Sequence, residues 1–263
     1  MRILAAERRD LLLARLRSDG KVVAKALAAE LGLSEDSIRR DLRELAAAGL
    51  CQRVYGGAVP ASPALADYAT RRAVEPRSKQ AVARHAATFV GTGSVAILDG
   101  GTTTLAVTRT LPTDLVCTVI THSPTIAGAL LDHSGVEIIL IGGRVFKHSA
   151  VTCGAAAVEA AGAISADVFL LGVTGVHPTH GLTTGDADEA AMKRALAQRA
   201  AETYVLASVE KLGAASRFAV LPFTDVAGVV TDGQDNDVAD ELAARGVNVV
   251  NGRGVGAELA RDG

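Results

Sequence analysis

The chain has 263 residues, of which 49% are apolar, with 27 Gly and no Trp. That is long enough for two domains and apolar enough to fill their cores, but no apolar run approaches a membrane span, and Arg2, Glu7, Arg8, Arg9 and Asp10 break up the start as no leader peptide would. The net charge of −2 hides an asymmetry: residues 1–57 carry 11 Lys and Arg against 8 Asp and Glu, the remainder 16 against 21, so a basic head precedes an acidic body.

Residues 6–17 read as a first helix with Leu12, Leu13 and Leu16 inward, ended by Ser18-Asp19-Gly20. Residues 21–23 read as a short strand, and 24–31 as a second helix with Ala26, Leu27 and Leu31 apolar. Gly32-Leu33-Ser34 makes a tight turn. Ser34 is placed to cap a third helix, whose positive end Glu35 and Asp36 complement. Ile38, Leu42 and Leu45 form one buried stripe, which leaves Arg39, Arg40 and Arg43 largely off it. Gly49 stops the helix, and residues 51–58 make a wing that carries Arg53 and Tyr55. This is the layout of a winged helix-turn-helix, which lays its third helix in the major groove of DNA. Ser34, Ser37, Arg39, Arg40, Arg43 and Arg53 are the expected DNA-binding residues. Ser37 and Arg40 are assigned to base edges or adjacent phosphates, Arg39 and Arg43 to phosphates, and Arg53 to backbone or minor groove. Tyr55 fits either a backbone contact or packing of the wing.

Residues 1–58 are thus expected to form the head and 59–76 a linker, part of it helical, with Pro60, Pro63 and Pro76 as breakers and Arg71-Arg72 as a small charged step. Residues 77–263 form the body. There strands are expected at 94–99, 117–121, 136–141, 167–172, 203–207, 227–231 and 247–250, with helices at 80–90, 104–111, 125–132, 155–164, 188–201 and 238–245 between them. The pattern predicts a Rossmann-like α/β domain with a mostly parallel sheet covered on both faces. Cys51, Cys117 and Cys153, odd in number and far apart, read as reduced thiols of a cytoplasmic protein, with no metal site or cofactor expected.

Ligands of open α/β sheets gather at the carboxyl ends of strands. Here those ends carry Asp99-Gly100-Gly101-Thr102-Thr103-Thr104, Thr121-His122-Ser123, Gly142-Gly143-Arg144, Gly172-Val173-Thr174-Gly175 and Ser208-Val209-Glu210-Lys211. Backbone N–H groups, Thr hydroxyls and a Lys ammonium are what a phosphate monoester needs. Asp99, Gly100, Gly101, Thr102, Thr103, Thr104, Thr121, His122, Gly143 and Lys211 are therefore the expected effector-binding residues. Simpler roles stand beside these: a helix cap for the threonines, a structural imidazole for His122, and an ordinary helix ion pair for Glu189 and Lys193.

These residues together resemble the DeoR family of transcriptional regulators, over residues 7–232. In the head the resemblance rests on Leu31-Gly32-Leu33-Ser34, Ser37-Ile38-Arg39-Arg40-Asp41-Leu42, and Gly49 through Arg53 to Gly56-Gly57-Ala58. In the body it rests on Asp99 to Thr103, Thr121-His122-Ser123, Gly142-Gly143, Gly154, Gly181-Leu182-Thr183-Thr184, Glu189, Lys193 and Lys211. It implies a sensor body similar in fold to sugar-phosphate isomerases and coenzyme A transferases. It also implies a phosphorylated sugar or polyol effector, repression of genes for its catabolism, and a homodimer or homotetramer on operator DNA. The family usually has Thr at the position of Ser37. It commonly has Asn at His122 and Asp at Ser208, so a carboxylate is missing beside Lys211. Two other readings stay open: a DNA-binding oligomer with an altered or decayed pocket, and a sugar-phosphate isomerase using Asp99, Asp186, Asp188 or Glu189 as its base.

Overall fold

A computed structural model of the protein describes residues 3–232 and 235–251; the last twelve residues of the expected body lie outside them. In the head, α1 (Ala5–Asp19), β1 (Val22–Val23), α2 (Ala24–Leu31) and α3 (Glu35–Ala47) precede the wing strands β2 (Cys51–Val54) and β3 (Gly57–Pro60). The strand order is β1-β3-β2, antiparallel throughout. Gly32 ends α2 at a φ of 63°, a left-handed turn that costs glycine little. Leu12, Leu16, Leu27, Ile38, Leu42 and Leu45 close one small core. Beneath α3, Asp41 is buried and pairs with Arg8 of α1, whose Nη2 lies 3.1 Å from Oδ1, so the two helices are joined by charge as well as by leucines.

Between head and body the chain is folded rather than slack. A 3₁₀ turn (Pro63–Leu65) is capped by Ser62, α4 (Tyr68–Arg71) is capped by Asp67, and α5 (Pro76–Ala86) begins on proline. The three prolines expected as breakers all sit inside or at the start of elements. Pro60 ends β3 where only β2 pairs with it, and Pro63 and Pro76 occupy first helical positions, where a missing N–H costs nothing.

The body alternates β4 (Val95–Leu98), α6 (Thr102–Thr108), β5 (Cys117–Thr121), α7 (Pro124–Leu130), β6 (Val136–Leu140), a hairpin of β7 (Arg144–Phe146) and β8 (Val151–Cys153), α8 (Ala155–Ala161) and β9 (Ala166–Gly172). Then follow β10 (Gly175–His177), β11 (Gly181–Thr184), α9 (Ala187–Ala197), β12 (Ala200–Leu206), β13 (Phe218–Ala219), β14 (Gly228–Thr231), α10 (Asp237–Ala244) and β15 (Val249–Asn251). Seven strands form one wholly parallel sheet in the order β15-β14-β12-β9-β4-β5-β6. Alternate side chains go to opposite faces. Ala96, Leu98, Val168 and Leu170 pack with α5, α6 and α7, while Ile97, Phe169 and Leu171 pack with α8, α9 and α10.

The small antiparallel pieces, the β7–β8 hairpin and the β10-β11-β13 sheet, have no counterpart in the expected elements. The helix expected over 188–201 ends at Ala197, because Ala200 pairs with Ala166 and draws the next residues into β12. Alanine has no strand preference of its own, and the neighbouring strand overrides it.

Candidate functional site

In the head, Ser34 accepts a hydrogen bond from the Ser37 backbone N–H at 3.3 Å and its Oγ lies 2.9 Å from that of Ser37, so both serines are engaged in capping α3. Arg39, Arg40, Arg43 and Arg53 are all exposed; Arg39 also reaches Glu35 at 2.7 Å. Arg39, Leu42 and the wing residues Arg53 to Gly57 line a groove of about 210 Å³ between helix and wing. Tyr55 stands fully clear of the protein at the wing tip and packs on nothing there.

In the body, the chain runs outward through β4, β5 and β6 and then returns to place β9 on the other side of β4, so the order of strands reverses between β4 and β9. This switch point is where a parallel sheet opens a crevice, and Asp99 follows β4 at that point. Its Oδ1 accepts from Gly100 N at 2.8 Å and faces His122 Nε2 at 2.7 Å; its Oδ2 accepts from Gly172 N at 2.8 Å and Lys193 Nζ at 2.6 Å. Full burial would push the Asp99 pKa up, but Lys193 and His122 outweigh it and hold the carboxylate well below its usual range. Asp99 is thus a tie across the switch point, fully buried beneath the crevice.

Above it lies a cleft lined by Gly100 to Thr104, Gly172 to Thr174, Lys193, Lys211, Glu189 and Glu210. Ala64, Arg71, Val74 and Lys79 line it too, the first three from the stretch between head and body and Lys79 from α5. Lys211 Nζ donates to Thr103 Oγ1 and Leu206 O, each at 3.0 Å. Burial pushes its pKa down to about 8, and the nearby Lys79, Arg71 and Lys193 push the same way against Glu210. Lys79 donates to the carbonyls of Arg71 (2.7 Å) and Val74 and lies 3.6 Å from Glu210 Oε1; burial lowers its pKa as well. Arg71 is lowered by burial despite the neighbouring Glu189, and its Nε and Nη2 are buried without a partner. Among the described residues neither Arg71 nor Lys211 has a carboxylate within ion-pair distance. Thr104 Oγ1 and Glu210 Oε2 are likewise buried and unpartnered. The free volume is only about 30 Å³, room for no more than a few waters.

Gly100, Gly101, Thr102, Thr103, Thr104 and Lys211 thus meet in one cleft, with Asp99 beneath it. Thr121, His122 and Gly143 do not reach it. Thr121 Oγ1 donates to Leu98 O at 2.6 Å, which ties β5 to β4. His122 is fully buried between Asp99 and Thr152 O (2.8 Å). Gly143 has a φ of 144° and lies close to Ala157, where a side chain would crowd the start of the hairpin. Lys193 turns to Asp99 rather than to Glu189, and both lie buried in the crevice instead of forming an exposed pair. A signal for this was available: Glu189 and Lys193 share the i, i+3, i+4, i+7 stripe with Met192 and Leu196. Arg71 and Lys79 carry no such signal. Ser208 Oγ donates to Glu210 Oε1 at 2.9 Å, so a carboxylate does stand in this loop, two residues after the position read as lacking one.

A family model described as the DeoR-like helix-turn-helix domain matches residues 8–64, and one described as the DeoR C terminal sensor domain matches residues 74–233. Arg71 falls between the two. The HTH-type transcriptional regulator GlpR of Haloferax volcanii is 35% identical over 89% of this chain and 92% of its own length. The HTH-type transcriptional repressor GlcR of Bacillus subtilis is 30% identical over 88% and 89%. The glycerol-3-phosphate regulon repressor of Escherichia coli K12 is 28% identical over 75% and 79%. Among solved structures the likeness is distant: ribose 5-phosphate isomerase A of Methanocaldococcus jannaschii is 19% identical over 51% of this chain and 52% of its own, with a TM-score of 0.38.

Proposed function

This chain belongs to the DeoR family of transcriptional regulators, and from that premise we propose that it represses a carbohydrate or polyol operon until a phosphorylated sugar or polyol enters the cleft at the β4–β9 switch point. One observation carries the reading: Lys211, buried, and Arg71, half-buried with its Nε and Nη2 buried and unbonded, line the same small cleft without carboxylate partners. Buried charge without a counter-ion is costly, and a phosphate dianion supplies two negative charges together with acceptors for the free guanidinium N–H groups and the third ammonium proton. The threonine hydroxyls and backbone of residues 101–104 complete the cradle. The relatives named are regulators or repressors, and this chain is a regulator too, not an enzyme.

The switch follows from the shape. With room for only a few waters, the closed cleft cannot admit a phosphate ester until a wall moves. The wall that carries Arg71 continues directly into the wing through Ala61, which bridges Ala215, and Pro60 of β3. A ligand that fits only with that segment displaced binds the two arrangements unequally, which is the condition for switching. The exposed arginines of α3 and the wing hold operator DNA in one arrangement and are repositioned in the other. A homodimer or homotetramer would present paired heads to a symmetric operator.

The test is a thermal-shift screen of phosphorylated sugars and polyols beside their unphosphorylated counterparts. A ligand at a hundred times its dissociation constant adds about 2.7 kcal/mol, worth several degrees at roughly 2–4 °C per kcal/mol. The shift should require the phosphate, vanish in Lys211→Met, and accompany release of operator DNA. No shift with any phosphate ester, operator binding being intact, overturns the reading.

A further inference from the structure

We infer that Glu210 selects the hydroxylated part of the effector: its free Oε2 accepts a hydrogen bond from a ligand hydroxyl, so that the cleft takes a polyhydroxy phosphate monoester and discriminates against an alkyl phosphate. The inference rests on the phosphate reading above and adds to it the residue that reads the carbon chain.

A carboxylate only accepts hydrogen bonds, and it cannot pair with the oxygens of a phosphate monoester dianion, which are acceptors too. Glu210 lines the cleft with a side chain only 4% exposed. One oxygen is committed: Oε1 accepts from Ser208 Oγ at 2.9 Å and faces Lys79 Nζ at 3.6 Å. The other, Oε2, is buried and has no partner. An acceptor left unpaired inside a protein costs free energy until a donor arrives. The adjacent residue in the chain, Lys211, already spends two of its three protons on Thr103 and Leu206. The wall therefore presents an anion site and a vacant acceptor side by side.

Thr104 Oγ1, also buried and unpartnered in the same cleft, can donate or accept and so fits the same ligand at a second hydroxyl. Inorganic phosphate satisfies the cations but leaves Oε2 without a carbon-chain hydroxyl. A polyol phosphate satisfies both. The short loop of residues 208–211 is held firmly enough to specify this, because Val209 N donates to Ser78 Oγ of α5 at 2.9 Å.

The test measures, by titration calorimetry on the full-length protein, the affinities of glycerol 3-phosphate and of n-propyl phosphate, which has the same three-carbon ester without the two hydroxyls. Wild type should favour glycerol 3-phosphate about tenfold or more, the discrimination expected of one hydrogen bond to a charged group. Glu210→Gln should bring the ratio below about threefold while n-propyl phosphate binds as well as before or better, since a negative charge has left the cleft. Glu210→Asp, which keeps the charge but withdraws the oxygen by one methylene, should lose the same discrimination and so separates reach from charge. The ratio is compared only among variants whose melting temperatures without ligand match wild type, and the two substitutions give independent chances of meeting that condition. Equal affinities in wild type, or an unchanged ratio in both variants, overturn the role of Glu210 and leave the phosphate reading standing. Failure of both esters and of inorganic phosphate to bind wild type overturns the phosphate reading, and this inference with it.

Discussion

Head and body both gather cations, but they hold them in opposite ways. Arg39, Arg40, Arg43 and Arg53 stand in solvent, where charge costs nothing to keep and a large polyanion can reach it. Lys79, Lys193, Lys211 and most of Arg71 are buried, where keeping the charge is expensive and each pKa that moves is driven down by burial. The difference follows from the size of the anion each region is suited to. DNA cannot be enclosed, so its site must be convex and open; a phosphate ester can be enclosed, and a dry site holds it with far stronger electrostatics.

Among the described residues of the head, the buried charges are Arg8 and Asp41. Asp41→Ala leaves Arg8 without its partner beneath α3, a loss of about 3–5 kcal/mol. Calorimetry should then show the head melting in a separate, earlier transition, with operator binding lost and effector binding retained. A single unchanged transition would mean that leucine packing alone joins α1 to α3. A smaller effect is expected from Arg40→Ala, which should weaken operator binding ten- to a hundredfold, about 1–3 kcal/mol. If Arg40 reads a base, discrimination among operator sequences narrows; if it holds a phosphate, the salt dependence falls by about one unit of slope at unchanged specificity. Unaltered affinity across several salt concentrations would remove it from the interface.

The gentlest probe is pH. Because the folded pKa of Lys211 is lowered to about 8, the lysine is charged at pH 7 and neutral by pH 9. Effector affinity should fall by up to tenfold per unit above pH 8, while operator affinity, carried by exposed guanidinium groups, stays level. The sign for stability is the reverse. An unfolded lysine stays protonated to about pH 10.4, so between pH 8 and 10 the unfolded chain holds the extra proton, and the ligand-free body gains stability as pH rises. Equal pH dependence of both affinities would mean that the two regions do not differ as described.

Local pattern made much of this legible in the sequence. Helix α2 has the limits its apolar spacing and Gly32 dictate, Ser34 caps α3 as expected, and all seven strands of the parallel sheet lie where short β-rich runs predict them. Contacts made at long range were less legible. Pro76 reads as a breaker until it is seen at the first turn of α5, and Arg71 reads as part of a linker until α4 turns it into the cleft. His122 looks like a ligand group because it follows a strand, yet the Asp99 carboxylate draws it beneath the floor. The partner of His122 stands 23 residues earlier in the chain, and no local periodicity records such a partner.

The segment of residues 61–79 serves as both the wall of the cleft and the tether of the wing, and this limits how such a regulator can evolve. A substitution there that admits a new inducer also alters how firmly the wing is seated, so changes of inducer specificity from this wall should arrive together with leaky or permanently silenced operons. Changes at the start of α6, around Thr102 to Thr104, alter what is recognised without touching the tether. Variants that respond to new metabolites and still shut the gene off tightly should therefore come from the sheet side of the cleft.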